Sequence, residues 1–445
     1  MNSETVEVRE VSPRYGFTAE KPAVPVGYKQ TEVGIIPEDW DCKILGDLGQ
    51  VVRGGSPRPA GSPKYFNGSY IPWLTVASLT NIPKSQQVVR STLSMLTELG
   101  SKHSRILNEQ TLIISNSGAT LGVAKILGIR CCANDGIAAI INQNYGNRSF
   151  LAHFINTRTK DLHDKVATGN GQPNLNTTSI KTIAVPFPSE KEQRAIATAL
   201  SDVDALLEEL DRLIAKKRDI KQATMQQLLT GQIRLPGFEG EWKLLNIANN
   251  STLKARIGWQ GLTTKEYLNS GHYGLITGTD FNGGKIVWEG CHFVEKDRYD
   301  QDVNIQLKNN DVLITKDGTI GKAAYIENLP FPATLNSGVF IIRPLNDSYE
   351  PKYFYYVLMS RFFTEFLNKL AAGSTISHLY QKDFLGFEFP APPSRKEQLA
   401  IATILSDIDA EIEELVKRRA KTATLKKAMM QELLTGRTRL VNYCI

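Results

Sequence analysis

The stretch PSEKEQRAIATALSDVDALLEELDRLIAKKRDIKQATMQQLLTGQIRL, residues 188–235, returns as PSRKEQLAIATILSDIDAEIEELVKRRAKTATLKKAMMQELLTGRTRL, residues 393–440, with no gap and 29 of 48 positions identical. A match of this length is an internal duplication, and it divides the chain into alternating segments. Each copy predicts one long helix. Ser189 and Ser394 stand as N-caps with Glu192 and Glu397 three residues on, the spacing of a capping box. Gly231 and Gly436 stand where a left-handed C-cap ends a helix. Between them Ile196, Leu200, Val203, Leu207, Leu210 and Ile214 recur at steps of four and three, a seam of coiled-coil type. Ile401, Leu405, Ile408, Ile412 and Leu415 repeat it. At about 1.5 Å per residue each helix is roughly 60 Å long if unbroken. The pairs Ser201…Asp204 and Ser406…Asp409 mark candidate points for a kink or restart.

Working outward, each helix follows a segment of about 150 residues, and the two segments are also alike. Leu74–Asn81 aligns with Leu275–Asn282, Leu112–Gly118 with Val312–Gly318, Asn134–Ile137 with Asn336–Val339, and Ala167–Gly169 with Ala371–Gly373. Short β-branched runs such as Thr111–Ser115 and Val312–Thr315 read as strands. Tyr353–Leu370 reads as a buried helix, with Phe150–Val166 as its counterpart. The fold class is therefore α+β. We expect two similar mixed α/β domains separated by two long antiparallel, coiled-coil-like helices, in a pseudo-two-fold arrangement. The expected boundaries are an N-terminal arm at 1–25, a first domain at 26–187, the central helix at 188–235, a second domain at 236–392 and the C-terminal helix at 393–440.

Composition narrows the function classes. The start of the chain is polar and has no apolar core of a leader, and no run reaches the roughly 18 apolar residues of a membrane span, so a cytoplasmic protein is expected. Five cysteines at irregular spacing give neither a disulfide framework nor a zinc motif. The net charge of +6 is unevenly spread. From Val51 to Lys125 stand eight basic residues against Glu98 and Glu109, a segment suited to phosphates, whereas Gly231–Pro393 holds 16 basic against 17 acidic residues.

Catalytic motifs are not found. Gly318-Thr-Ile-Gly-Lys322 imitates a phosphate loop but has the wrong spacing, with Ala323 where Ser or Thr would hold magnesium, and it reads as a tight turn. Asp41-Cys-Lys43 lacks an upstream acid for a nuclease metal site. Ala391-Pro-Pro-Ser394 is not the Asn/Asp-Pro-Pro-Tyr/Phe motif of adenine methyltransferases, and no glycine-rich S-adenosylmethionine loop precedes it. The six histidines form no HExxH or His/Cys cluster.

Two copies of Pro-x-x-x-Glu-Gln-x-x-Ile, each followed by Leu-Ser-x-x-Asp and a charged helix ending in Leu-Leu-Thr-Gly, separate two divergent domains that open on a Pro…Trp element. Together with Gly27–Trp40 and Tyr65–Trp73, this pattern resembles the specificity subunit of type I restriction-modification systems. The resemblance implies a non-catalytic DNA reader. Each domain would be a target recognition domain for one half of a bipartite, asymmetric sequence, and the helices would fix the unspecified gap. Partners implied are double-stranded DNA, two methyltransferase subunits, which would bind S-adenosylmethionine and methylate adenine, and in some systems two motor-nuclease restriction subunits. No cofactor is expected in this chain. Alternatives are a stand-alone DNA-binding regulator and the specificity subunit of a methylation-only or type IIB-like system.

Polar and basic residues at turns and strand ends suit contact with phosphates and base edges. In the first domain the candidates are Arg53, Ser56, Arg58, Lys64, Thr75, Ser78, Asn116, Thr120, Asn170 and Gln172. In the second they are Lys254, Arg256, Gln260, Thr277, Thr279, Lys316, Thr319, Lys322, Ser374 and Thr375. Leu206, Leu213 and Ile220 form an apolar edge beside the first seam, where the second copy has Glu411, Arg418 and Leu425, and they are the candidates for partner docking.

Overall fold

The computed structural model describes residues 24–118, 120–166, 174–371 and 378–440, so most of the expected N-terminal arm lies outside the described residues. The chain forms two units, one of Met1–Leu210 with Arg419–Ile445 and one of Asp211–Arg418. Each contains a mixed domain, the start of one long helix and the end of the other.

In the first unit a five-stranded sheet runs in the order Gln50–Arg53, Ile137–Ile141, Leu112–Ser115, Ala124–Leu127 and Val88–Val89, antiparallel except at its last pair. In the second unit the order is Ser251–Lys254, Val339–Pro344, Val312–Thr315 and Ala323–Tyr325, antiparallel throughout. The aligned runs Leu112–Ser115 and Val312–Thr315 are the inner strands of these sheets, and every residue in both is buried, which is why they carry no polar alternation. A smaller sheet repeats as well, with Phe66–Leu74 parallel to Cys131–Ala133 and Tyr273–Ile276 parallel to Ala333–Leu335. One fold is thus built twice. The domain ends on a strand that pairs with its opening strand, Ala184–Phe187 with Asp41–Ile44 and Glu388–Ala391 with Lys243–Asn246.

The two long helices, Glu190–Leu229 and Arg395–Leu433, are each continuous. The kink expected near Ser201 does not form, because Ser201 Oγ lies 3.1 Å from Ser149 Oγ and Asp204 meets Lys426 Nζ at 2.5 Å. In the first unit Ile196 and Leu200 share a core with Leu433 and Leu434, and Phe150, Leu151 and Phe154 pack there too. In the second, Met225, Leu228 and Leu229 share a core with Ile401 and Leu405, beneath Tyr353, Phe354 and Val357. The start of one helix therefore lies against the end of the other, an antiparallel pairing. Ion pairs follow the same pattern, Asp204 with Lys426 in the first unit and Asp409 with Lys221 at 2.6 Å in the second. His153 Nε2 also lies 3.8 Å from Asp204. Burial, with Lys426 and Lys125 adding to it, pulls the His153 pKa down to about 3, so this contact is not an ion pair at neutral pH.

Two local expectations are corrected. Ser189 Oγ caps the Glu192 N–H at 3.3 Å, but the Glu192 carboxylate does not turn back to complete a capping box. It accepts from Trp40 Nε1 at 3.1 Å and from Arg439 Nε at 2.5 Å. Glu397 likewise accepts from Arg234 Nε at 3.0 Å and Nη2 at 2.8 Å. A guanidinium offers two charge-assisted bonds where the backbone offers one. The single helix expected over Tyr353–Leu370 is two, Pro351–Leu358 and Arg361–Leu370, because Ser360 accepts from the Phe362 N–H and starts a new helix. Its counterpart is divided in the same way, into Arg148–Thr157 and Thr159–Val166.

Gly231 and Gly436 both end their helices at φ +70°. An added Cβ on Gly436 would lie 2.5 Å from Pro37 Cγ and 3.0 Å from Trp40 Cζ2, whereas on Gly231 it would meet Trp242 at an ordinary 3.4 Å. Both Ala variants carry the left-handed strain of about 1–2 kcal/mol, and only Gly436→Ala adds a clash, chiefly with Pro37 and less with Trp40. We expect urea denaturation to show the larger loss for Gly436→Ala. Equal losses would mean that the close packing of Pro37 and Trp40 on Gly436 contributes nothing.

Candidate nucleic-acid interface

Each domain places two turns side by side at one end of its larger sheet. In the first unit these are the turn after Leu112–Ser115 and the turn at Asn134–Gly136. Asn116 N–H donates to Gly136 O at 2.9 Å, and Leu175 N–H donates to Asn116 O at 2.8 Å. In the second unit Lys316 N–H donates to Gly338 O at 2.9 Å, and Leu379 N–H to Lys316 O at 2.8 Å. Asn134 and Asn336 brace the second turn by accepting from the Gly136 and Gly338 N–H groups. Sequence matching found this Asn-x-Gly pair, but no role was assigned to it.

Around the turns of the first unit, three candidates come together on Asp135. Arg53 Nε donates to its carbonyl at 2.5 Å, Asn116 Nδ2 donates to the same oxygen at 3.2 Å, and Ser56 Oγ lies 2.6 Å from its carboxylate. Arg105, which was not among the candidates, donates through Nε to Arg53 O at 2.6 Å. Both Arg53 and Arg105 are exposed. Arg58 and Lys64 are exposed on the loop that follows Arg53. Thr120 belongs to the turn itself, where its carbonyl accepts from Ser115 Oγ.

Thr75 and Ser78 are accounted for by a helix start. Thr75 Oγ1 accepts from the Ser78 N–H at 3.2 Å, and Ser78 Oγ accepts from the Thr75 N–H in return. Thr277 does the same in the second unit, with its Oγ1 accepting from the Thr279 N–H while Asp280 accepts from the Thr277 N–H. Ser78 and Thr277 are buried, and Thr279 is exposed beside them.

In the second unit Thr319 and Lys322 are exposed on the turn, and Lys316 Nζ lies 5.1 Å from the Phe340 ring centre. Thr315 Oγ1 donates to Thr319 O at 2.5 Å and accepts from the Lys322 N–H at 3.0 Å, so the stretch that imitates a phosphate loop is a tight turn. Lys254 is exposed at its strand end. Arg256 and Gln260 are corrected, since both are interior. Arg256 is 2% exposed, and its guanidinium donates to Leu335 O at 2.8 Å, to Thr334 Oγ1 at 3.3 Å and to Arg298 O at 3.3 Å. Burial, with Arg298 nearby, pulls its pKa below the ordinary arginine value, as for a structural cation. Asn170, Gln172, Ser374 and Thr375 lie outside the described residues.

The turns thus present N–H, hydroxyl, amide and cationic groups on a rigid sheet end, chemistry that suits phosphate oxygens and base edges. Among the described residues no group of three or more His, Cys, Asp or Glu is arranged to hold a metal ion. Of the apolar edge on the central helix, Leu206 and Ile220 are each 40% exposed, and Leu213 is half-buried. No helix among the described residues is long and apolar enough to cross a membrane.

Comparison with known proteins now adds to this geometry. The family model described as the type I restriction modification DNA specificity domain matches twice, at residues 37–217 and 260–422. The specificity subunit of type I restriction enzyme MjaVIII from Methanocaldococcus jannaschii is 26% identical over 436 residues, covering 92% of this chain and 95% of that protein. The MjaIX specificity subunit of the same organism is 25% identical over 438 residues, covering 93% and 96%. Among solved structures, the type I restriction-modification S subunit from M. genitalium superposes with a TM-score of 0.59 at 14% identity, covering 88% of this chain and 96% of that one.

Proposed function

This chain belongs to the type I restriction modification DNA specificity family, and from that premise we propose that its two domains each read one half of a bipartite, asymmetric DNA sequence. The observation that carries this reading is the double family match, in which each copy covers most of a domain and most of the helix after it. The paired turns would carry the contacts. Arg53, Ser56 and Asn116 in the first unit, and Lys316, Thr319 and Lys322 in the second, are the described candidates at them, with Arg58, Lys64, Lys254 and Thr279 exposed in the same domains. Thr120 is in the turn, but its hydroxyl is buried. Methyl transfer and cleavage would reside in partner subunits, with S-adenosylmethionine bound by methyltransferase partners. The sequence supports this division, since it has neither a glycine-rich S-adenosylmethionine loop nor the adenine-gripping motif.

The test is to purify the chain together with the products of neighbouring genes and to map methylated adenines across the genome. Co-purifying methyltransferase and a methylated sequence in two halves with an unspecified gap are expected. A continuous target would overturn the two-reader arrangement, and a chain that binds specific DNA but never a methyltransferase would favour a stand-alone regulator.

The exposed apolar edge gives a second test. Changing Leu206, Leu213 and Ile220 together to Glu is expected to abolish co-purification of methyltransferase while circular dichroism and DNA binding persist. Because Leu213 is half-buried, the pair Leu206→Glu and Ile220→Glu serves as the milder variant. Normal assembly of both variants would mean that docking uses another surface.

A further inference from the structure

The first unit contains a cavity of 530 Å³ where the loop after Val76–Thr80, the strand Ala124–Leu127, the helix Thr159–Val166 and the C-terminal helix meet. That volume falls within the roughly 300–1,000 Å³ usual for small-molecule sites. Lys84, Lys125, Lys160 and Lys426 line it, and no carboxylate does among the described residues. Lys426 is paired with Asp204. Lys125 has no such partner among the described residues. It is 2% exposed, and its ammonium donates to Pro83 O at 3.1 Å and to Gln86 O, both neutral acceptors. Burial accordingly pulls its pKa down to about 8. Thr120 Oγ1, on the same wall, is buried without a hydrogen-bond partner. Gln87, Asn156, Thr159 and His163 add polar groups to the wall, and Ile82, Leu121 and Met430 form its apolar part.

We propose that this cavity binds a small molecule carrying two or more phosphates on an apolar or aromatic body, that is, a nucleoside polyphosphate. Lysine ammonium groups act as point charges for phosphate, and Ile82, Leu121 and Met430 give the body a dry wall. The second unit supplies an internal comparison. Lys125 pairs with Ile113 across its ladder, and Ala324 pairs with Leu313 at the matching place. The same sheet is therefore made elsewhere in this chain with Ala at the place of Lys125, so the buried cation is not a requirement of the fold. An ammonium held away from water costs stability. The carboxylates that act on Lys125 are Asp204, which is shared with Lys426, and Glu208, and a bound polyphosphate would add negative charge to this lysine cluster.

DNA backbone phosphates share this chemistry, so the test separates the two sources. The full chain is titrated calorimetrically with ATP, and with inorganic pyrophosphate as the probe lacking a base, in the absence of DNA. ATP is expected to saturate one site and to bind more tightly than pyrophosphate. Lys84→Ala with Lys160→Ala, both surface positions, should weaken ATP at least about tenfold while leaving binding of a specific duplex within about twofold. Lys125→Met should weaken ATP by at least as much. The proposal fails if ATP does not bind at millimolar concentration, or if the lysine variants bind it as the wild type does. It also fails if duplex binding falls in step with ATP binding, since the lysines would then belong to the DNA surface.

Discussion

Replacing Glu192 with Ala is expected to cost the first unit about 3 kcal/mol, the lower end of the range for removing one partner of a buried ion pair. Glu192 is 1% exposed and serves two groups far away in sequence. Its Oε2 accepts from Trp40 Nε1 at 3.1 Å and from Arg439 Nη2 at 2.8 Å, and its Oε1 accepts from Arg439 Nε at 2.5 Å. One carboxylate thus ties the start of the central helix to the opening of the first domain and to the end of the chain. Without it the buried indole N–H has no acceptor, which alone costs about 1–3 kcal/mol. The guanidinium keeps Asp39 as a charged partner, at 2.9 and 3.0 Å, and still lies over the Trp40 ring. That remaining partner places the loss at the lower end.

The second unit sets the control. Glu397 receives Arg234 through both oxygens, but Trp242 Nε1 is buried without a hydrogen-bond partner, so no indole depends on the carboxylate. Glu397→Ala should therefore cost less than Glu192→Ala. Glu192→Gln, which retains an acceptor for Trp40, should fall between wild type and Glu192→Ala. Urea denaturation followed by tryptophan fluorescence measures all three. A loss below about 1 kcal/mol for Glu192→Ala would show that the buried pair barely outweighs its own desolvation.

Glu192 also shows where reading the sequence stops. Its spacing from Ser189 fits a capping box, a local rule, and the hydroxyl half of that box forms. The carboxylate is diverted by Arg439, 247 residues away, and no local pattern encodes that distance. The helices, their C-cap glycines and the repeated domain were legible because each rests on a period or on a self-match, both of which survive divergence of side chains. Contact residues were harder to read for a physical reason. Arg256 and Lys125 look like surface cations in composition, yet both are interior, because carbonyl oxygens from neighbouring loops receive their N–H groups. Thr75, Ser78 and Thr277 were chosen as polar residues after a strand, and that position is also where a short helix must be capped. Asp135, on which Arg53, Ser56 and Asn116 converge, is an acceptor, and nothing in its local sequence marks it as the residue that organises three donors.

Exchanging the first domain, from about Trp40 to Pro186, for the matching segment of a related specificity subunit is expected to change one half of the methylated sequence completely and leave the other half intact. The expectation rests on the two-reader proposal and on how the joint is built. The larger sheet and both candidate turns of the first domain lie wholly inside the exchanged segment, so the reader travels as one piece. Asp39, Glu192 and Arg439 lie outside it, so the charged joint stays in place and needs from the donor a tryptophan equivalent to Trp40. The donor must also offer a backbone N–H where Asn147 N–H donates to Gln193 Oε1 at 2.8 Å, a contact the second unit repeats as Glu350 N–H to Gln398 Oε1 at 2.7 Å. Because both contacts use the backbone, side-chain divergence in the donor does not remove them. Each mismatched base pair typically costs about 1–3 kcal/mol, so a reader with new turn residues should abandon the old half-site outright and not merely tolerate both. Sequencing methylated adenines in cells carrying the exchanged chain decides the matter. A change in both halves would mean that the domains read one site jointly, and no change in either would move recognition away from the turns altogether.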